Sequence, residues 1–152
     1  MRITIAAIGK AKPGPHKDLA AFYAGRIRMP LEIRELVERK KLSPAELKSR
    51  ESALLLDAVP KGATVIALDE RGTSLSSAEF ARRLGQWRDR SVAELAFLIG
   101  GADGIDDTVR RRADFVLALG PATWPHFLAR GMLLEQIYRA ETLLAGHPYH
   151  RE

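Results

Sequence analysis

Apolar residues fall into two alternating rhythms along this chain, short β-branched runs and longer stretches with helical spacing. Ile3 to Ile8 is a β-rich apolar run stopped by Gly9, and Pro13-Gly14-Pro15 then forbids regular structure until about Lys17. Asp18 to Ile27 places Leu19, Phe22, Tyr23 and Ile27 at helical spacing, and Leu31 to Arg34 alternates as a strand does. Ser43-Pro44-Ala45-Glu46 reads as a capping box with proline at the first helical position, opening a helix that runs to about Val59. Thr64 to Leu68 is continuous and β-branched, as a strand buried on both faces requires. Ser76-Ser77-Ala78-Glu79 repeats the capping box and starts a helix through Phe80, Leu84 and Trp87. Glu94 to Ile99 and Phe115 to Leu119 are two further strands, separated by a short helix carrying three arginines. A last helix, from about His126 to Ala145, is apolar around much of its circumference, and Gly146 reads as its terminating residue.

Strands that alternate with helices predict an α/β fold, a mostly parallel sheet with helices on both faces. One sheet face cannot cover the stripe of the last helix. Burial against a second copy of the chain would explain it, and so would burial within its own chain.

The length and composition fit a single domain over 1–152, since 152 residues that are 46% hydrophobic can bury one real core. No apolar run is long enough to span a bilayer, and MRITIAAIGK reads as a first strand rather than a signal peptide. A soluble, cytoplasmic protein is expected. With no cysteine, disulfide, thiolate and zinc-thiolate chemistry are excluded, and His16, His126, His147 and His150 lack the HExxH spacing, so no metal is expected. The net charge of +5 favours an anionic partner without naming one. Its arginines are locally dense at Arg82-Arg83 and at Arg110-Arg111-Arg112, where forked guanidinium donors suit phosphate, although a solvated helix face would look the same.

Ligands of open parallel sheets sit beyond the carboxyl ends of the strands, so the segments after Leu68, Ile99 and Leu119 are the first places to look. Gly100-Gly101-Ala102-Asp103-Gly104 is not GxGxxG, there is no GxxxxGK[ST], and the serines lack a nucleophile-elbow context. Dinucleotide binding, a P-loop and serine hydrolysis are set aside. Taken alone, the double glycine could be only a tight turn. The end of the chain is richer: His147-Pro148-Tyr149-His150-Arg151-Glu152 concentrates proton carriers and a fixed cation where terminal residues ordinarily fray.

Taken together, Leu68-Asp69, Leu98-Ile99-Gly100-Gly101-Ala102-Asp103-Gly104, Pro125-His126, Leu133-Leu134-Glu135-Gln136-Ile137-Tyr138-Arg139-Ala140 and Gly146-His147-Pro148-Tyr149-His150-Arg151 resemble the RlmH family. These SPOUT-class enzymes methylate N3 of a pseudouridine in large-subunit ribosomal RNA, in the helix 69 loop of the 23S molecule. The resemblance spans essentially the whole chain. It implies a C-terminal trefoil knot, which sequence rules alone would argue against. It also implies S-adenosylmethionine bound at the knot loops, and a homodimer that places one subunit's tail near its partner's cofactor. By motif, the cofactor contacts fall at Leu68, Gly100, Gly101 and Gly120, Pro121, Ala122, Thr123, Trp124 and Pro125. Relatives tend to carry a serine-containing stretch where this chain has Gly120-Pro121-Ala122, so main-chain contacts to adenine survive there and a serine side-chain contact does not.

The chemistry implied is an in-line displacement at a sulfonium carbon, for which alignment is the main task. The acceptor nitrogen carries a weakly acidic proton that must leave, so a base and a cation help. His150 and Arg151 are the first candidates, with Tyr149 stacking or donating and His147 as a second proton carrier. His147 also suits an interaction with the carboxyl end of the helix dipole, and His126 could simply orient the start of the last helix. Arg82, Arg83, Arg110, Arg111, Arg112 and Arg139 are candidate contacts to the RNA backbone in the ribosome. A non-catalytic RNA-binding module and a small-molecule methyltransferase are the competing classes.

Overall fold

Five parallel strands form one sheet in the order β2-β1-β4-β3-β5. The computed structural model describes residues 1–150. In chain order the elements are β1 (Arg2–Ile8), α1 (Pro15–Ala24), β2 (Leu31–Leu36), α2 (Pro44–Asp57) and β3 (Thr64–Ser74). They continue as α3 (Ser77–Asp89), β4 (Glu94–Ile99), α4 (Asp107–Arg112), β5 (Phe115–Ala118) and α5 (His126–Ala145).

Strand periodicity divides the core in two. Ile3, Ile5, Ala7 and Phe97 face a layer built from Phe80 and Leu84 of α3 and Leu133 and Ile137 of α5, with Tyr23 of α1 packed at its edge. Ala6, Ile8, Val65 and Leu98 point the other way, onto Leu55 of α2 and Val109 of α4. The α/β architecture with helices on both faces is therefore the one expected.

Helix α1 starts earlier than the proline run suggested. Pro15 occupies the first turn, where its missing N–H is no loss, and Gly25 closes the helix before Ile27. The capping box is complete at α3: Ser76 N donates to Glu79 Oε2 at 2.7 Å and Glu79 N donates to Ser76 Oγ at 3.2 Å. At α2 the first half forms, Glu46 N donating to Ser43 Oγ at 3.3 Å.

The larger difference lies in β3, which does not end at Leu68. Leu68 and Thr73 both pair with Leu117, so residues 69–72 bulge out of the ladder before pairing resumes. Gly72 permits this return: a Cβ there would lie 2.6 Å from the Val116 carbonyl oxygen.

Helix α5 packs against both α1 and α3. Leu133, Leu134, Ile137 and Ala140 are fully buried inside the chain, while Leu144 stays exposed. Its own chain thus covers much of the wide stripe. A buried arginine ties the helix to the sheet: Arg130, 3% exposed, donates to Glu35 Oε2 at 2.7 Å and to the Gly9 carbonyl at 3.0 Å. Burial alone would raise the Glu35 pKa, but the Ala11 N–H and Arg130 outweigh it and hold the carboxyl below its ordinary value. Arg130→Met is expected to destabilise by about 3 kcal/mol, the lower end for breaking a buried ion pair because Glu35 keeps some solvent. Urea denaturation measures this, and an unchanged midpoint would contradict it.

Candidate functional site

The carboxyl ends of β3, β4 and β5 open into one cleft of about 240 Å³. Leu68, Gly100, Gly101, Ala122, Thr123 and Trp124 all line it. Of the other residues placed at the cofactor by motif, Gly120 lines a separate apolar groove beside α5, and Pro121 and Pro125 are exposed outside the cleft wall.

Each wall has a local reason for its shape. In the β3 bulge, Asp69 accepts from Arg71 N at 2.8 Å and from Arg110 Nη1 at 2.8 Å. Arg110 also donates to the Ile105 carbonyl at 3.0 Å, so α4, the glycine loop and the bulge are locked by one guanidinium. Asp107, the other partner of Arg110, is held below the ordinary carboxylate range by that contact.

After β4 the chain reverses tightly, Gly104 N donating to the Gly101 carbonyl at 3.0 Å. A Cβ on Gly100 would lie 2.7 Å from the Gly104 carbonyl carbon and oxygen, so this turn excludes any side chain there. Asp106 caps α4, accepting from the Thr108 N–H at 2.9 Å, and its own amide donates to the buried Ser52 hydroxyl at 3.0 Å. After β5, Trp124 Nε1 donates to the Leu119 carbonyl at 2.8 Å, which closes the segment into a compact turn. The Thr123 hydroxyl donates to Glu70, joining this turn to the β3 bulge.

His126, at the first turn of α5, lines the same cleft. Burial, then the charges of Arg130 and His16, push its pKa down, so the imidazole is neutral at pH 7. The sequence left His126 between a role in orienting the helix and a role in the site, and its place in the cleft wall was not legible from spacing.

The tail leaves α5 at Gly146, whose left-handed φ of 69° ends the helix. His147 N donates to the Thr142 carbonyl at 2.9 Å, and His147 Nδ1 accepts from Tyr149 N at 3.1 Å. The His147 main chain therefore closes the helix, while its imidazole holds the Tyr149 amide and not the helix end. The Tyr149 hydroxyl donates to Glu135 Oε1 at 3.1 Å, its ring lies 4.5 Å from that of Tyr138, and the Arg139 guanidinium sits over it. Burial, with Tyr23 and Glu135 beside it, raises the Tyr149 pKa far above neutrality, so the phenol stays protonated. His150 is half-buried, and its Nδ1 has no hydrogen-bond partner among the described residues. Arg151 lies outside the described residues. None of His147, Tyr149 and His150 lines the cleft of its own chain.

The candidate RNA arginines divide. Arg82, Arg111 and Arg112 are exposed, with Arg112 3.5 Å from Asp114. Arg83 lies over the Phe115 ring at 4.1 Å, Arg110 is held by Asp69 and Asp107, and Arg139 pairs with Glu135 at 2.5 Å. Among the described residues, no group of three or more His, Asp or Glu side chains could hold a metal ion, and no helix is long and apolar enough to cross a membrane.

The family described as "Predicted SPOUT methyltransferase" matches residues 1–150. Ribosomal RNA large subunit methyltransferase H from Rhodospirillum centenum is 60% identical over 151 residues, covering 99% of either chain. A methylase family protein from Neisseria gonorrhoeae superimposes with a TM-score of 0.56 at 14% identity, covering 98% of this chain and 95% of that one. The SpoU methyltransferase AviRb from Streptomyces viridochromogenes, in complex with AdoMet, gives 0.50 at 13% identity, covering 92% of this chain and 58% of its own. At those identities the structural likeness is one of fold.

Proposed function

The chain belongs to the RlmH family of SPOUT methyltransferases, and from that membership we propose that it transfers a methyl group from S-adenosylmethionine to N3 of a pseudouridine in 23S ribosomal RNA. The site is the helix 69 loop, the substrate is the assembled ribosome, and the protein works as a homodimer in the cytoplasm. The whole chain acts as one domain, with the trefoil knot of its family.

The observation that carries this reading is the convergence of the β3, β4 and β5 ends on one cleft, with Gly100, Gly101 and Gly104 together in its wall. Such a wall suits a nucleoside held by backbone groups, because the missing Cβ atoms let a ligand approach the peptides closely. When bound there, S-adenosylmethionine supplies an electrophilic methyl carbon on a sulfonium. The residues around it supply position, and alignment of this kind can lower a barrier by roughly 7–11 kcal/mol.

The tail supplies the remainder. His150 accepts the proton from the ring nitrogen, and Arg151 stabilises the negative charge shared with the flanking carbonyls. Tyr149 stays a phenol and serves as a hydrogen-bond donor and stacking surface, not as a base. His147 sets the tail's exit from the helix. Arg82, Arg111 and Arg112 meet RNA phosphates, while Arg110 holds the cleft together.

Support for the dimer comes from the apolar groove along α5, lined by Leu19, Tyr23, Leu75, Phe80 and Met132, and from the tail's absence from its own cleft. The test is methyl transfer to ribosomes that lack the modification. Methylation at N3 of the pseudouridine is expected, and cofactor binding without any transfer to ribosomes would overturn the substrate.

A further inference from the structure

Helix α2 carries a carboxylate that takes no part in the hydrogen bonds that hold the cleft walls. Glu51 is only 7% exposed, yet its carboxylate makes no hydrogen bond or ion pair among the described residues. Its neighbours Ser52 and Leu55 have plain structural work, Ser52 holding the Asp106 amide and Leu55 filling the core. Glu51 does neither.

Its position explains what it could do. A Cβ placed on Gly101 would stand 3.0 Å from each Glu51 oxygen and 3.1 Å from Ile8 Cγ2, so the carboxylate faces the space that the missing side chain leaves open. Gly101 is itself part of the cleft wall, and so are Asp103 on the glycine loop and Lys48, one helical turn before Glu51 on α2. Asp103 and Lys48 therefore line the cleft, the Glu51 carboxylate stands directly behind Gly101, and the Ala122–Trp124 turn forms another part of the wall.

A buried carboxylate without a partner is costly, and a carboxylate beside another is costlier still. Burial, then the charges of Asp103 and Glu38, push the Glu51 pKa up. A cation bound next to it would remove both penalties. We propose that Glu51 binds the α-ammonium group of the cofactor's amino-acid end, with Asp103 reinforcing the negative field and Lys48 taking the α-carboxylate. This assignment rests on the methyltransferase reading, and it orients the cofactor: amino-acid end toward α2, adenosine toward the β5–α5 turn. An i, i+3 pair of opposite charges on a helix matches an amino-acid zwitterion, which has its own two charges close together.

The test uses the full chain and two ligands measured by calorimetry. S-adenosylhomocysteine keeps the amino-acid end, whereas 5′-methylthioadenosine keeps adenine, ribose and the thioether sulfur but lacks it. Glu51→Gln is expected to weaken S-adenosylhomocysteine by about tenfold or more, the scale of one charge-assisted hydrogen bond, while 5′-methylthioadenosine stays within about twofold. Lys48→Met should show the same selectivity. Equal losses for the two ligands would overturn the assignment in favour of a role in shaping the glycine loop, and unchanged affinity for both would overturn it outright. If the unaltered protein bound neither S-adenosylmethionine nor S-adenosylhomocysteine, the methyltransferase reading itself would fall, a result distinct from either of these.

Discussion

A chain ending at Gly146 is expected to lose methyl transfer to ribosomes by at least about 100-fold, the scale of a missing proton acceptor, while binding S-adenosylmethionine within severalfold of the full chain. The separation of the two effects follows from where the tail sits. His147, Tyr149 and His150 lie away from the cleft of their own chain, whose walls come from the β3, β4 and β5 ends and the start of α5. Helix α5 still reaches its left-handed Gly146, and the lost contacts are the His147 cap to Thr142 and the Tyr149 packing on Tyr138 and Glu135. Those cost about 1–2 kcal/mol of stability, too little to unfold the domain. Single-turnover assays beside calorimetry read both halves. Equal turnover in the two proteins would remove the tail from the mechanism.

Gly100→Ala is expected to do the converse, weakening the cofactor while leaving the tail in place. One methyl group there would meet the Gly104 carbonyl at 2.7 Å and Ile105 Cγ2 at 2.9 Å, and the obstructing atoms are mostly backbone that cannot swing aside. The free protein relieves the clash by opening the turn between Gly100 and Gly104, and ligand binding must close it again. Overpacking of this kind costs ~1–3 kcal/mol, or roughly five- to 150-fold in affinity. The melting temperature should fall by only a few degrees. A variant with normal affinity would show that the turn is not part of the cradle.

Much of the fold was legible because the signals were local. Both serine caps, the glycine stop after α5 and the apolar runs of β1, β3 and β4 fix their elements through bonds and packing within a few residues. The misplaced start of α1 was a matter of proline's two roles, breaker inside a helix and good first residue. What pattern could not show were pairings decided by the sheet: the return of β3 to Leu117 after its bulge, and the Arg110–Asp69 link that fastens the cleft. The triple arginine looked uniform in sequence, yet one of its members spends its charge inside the protein. Glu51 was invisible for the same reason, since only the crossing of α2 behind Gly101 gives that glutamate a meaning.

The two variants together test the central claim, that the tail of one subunit works over the cofactor held by its partner. Mixing the chain that ends at Gly146 with the Gly100→Ala chain, under conditions that exchange subunits, creates dimers in which one intact cradle faces one intact tail. At a cofactor concentration that fills the intact cradle but not the Gly100→Ala one, half the dimers in an equal mixture are mixed and each has one complete site, so about a quarter of the activity of the unaltered protein should return. Activity no higher than the sum of the two variants measured separately would contradict a site shared between subunits.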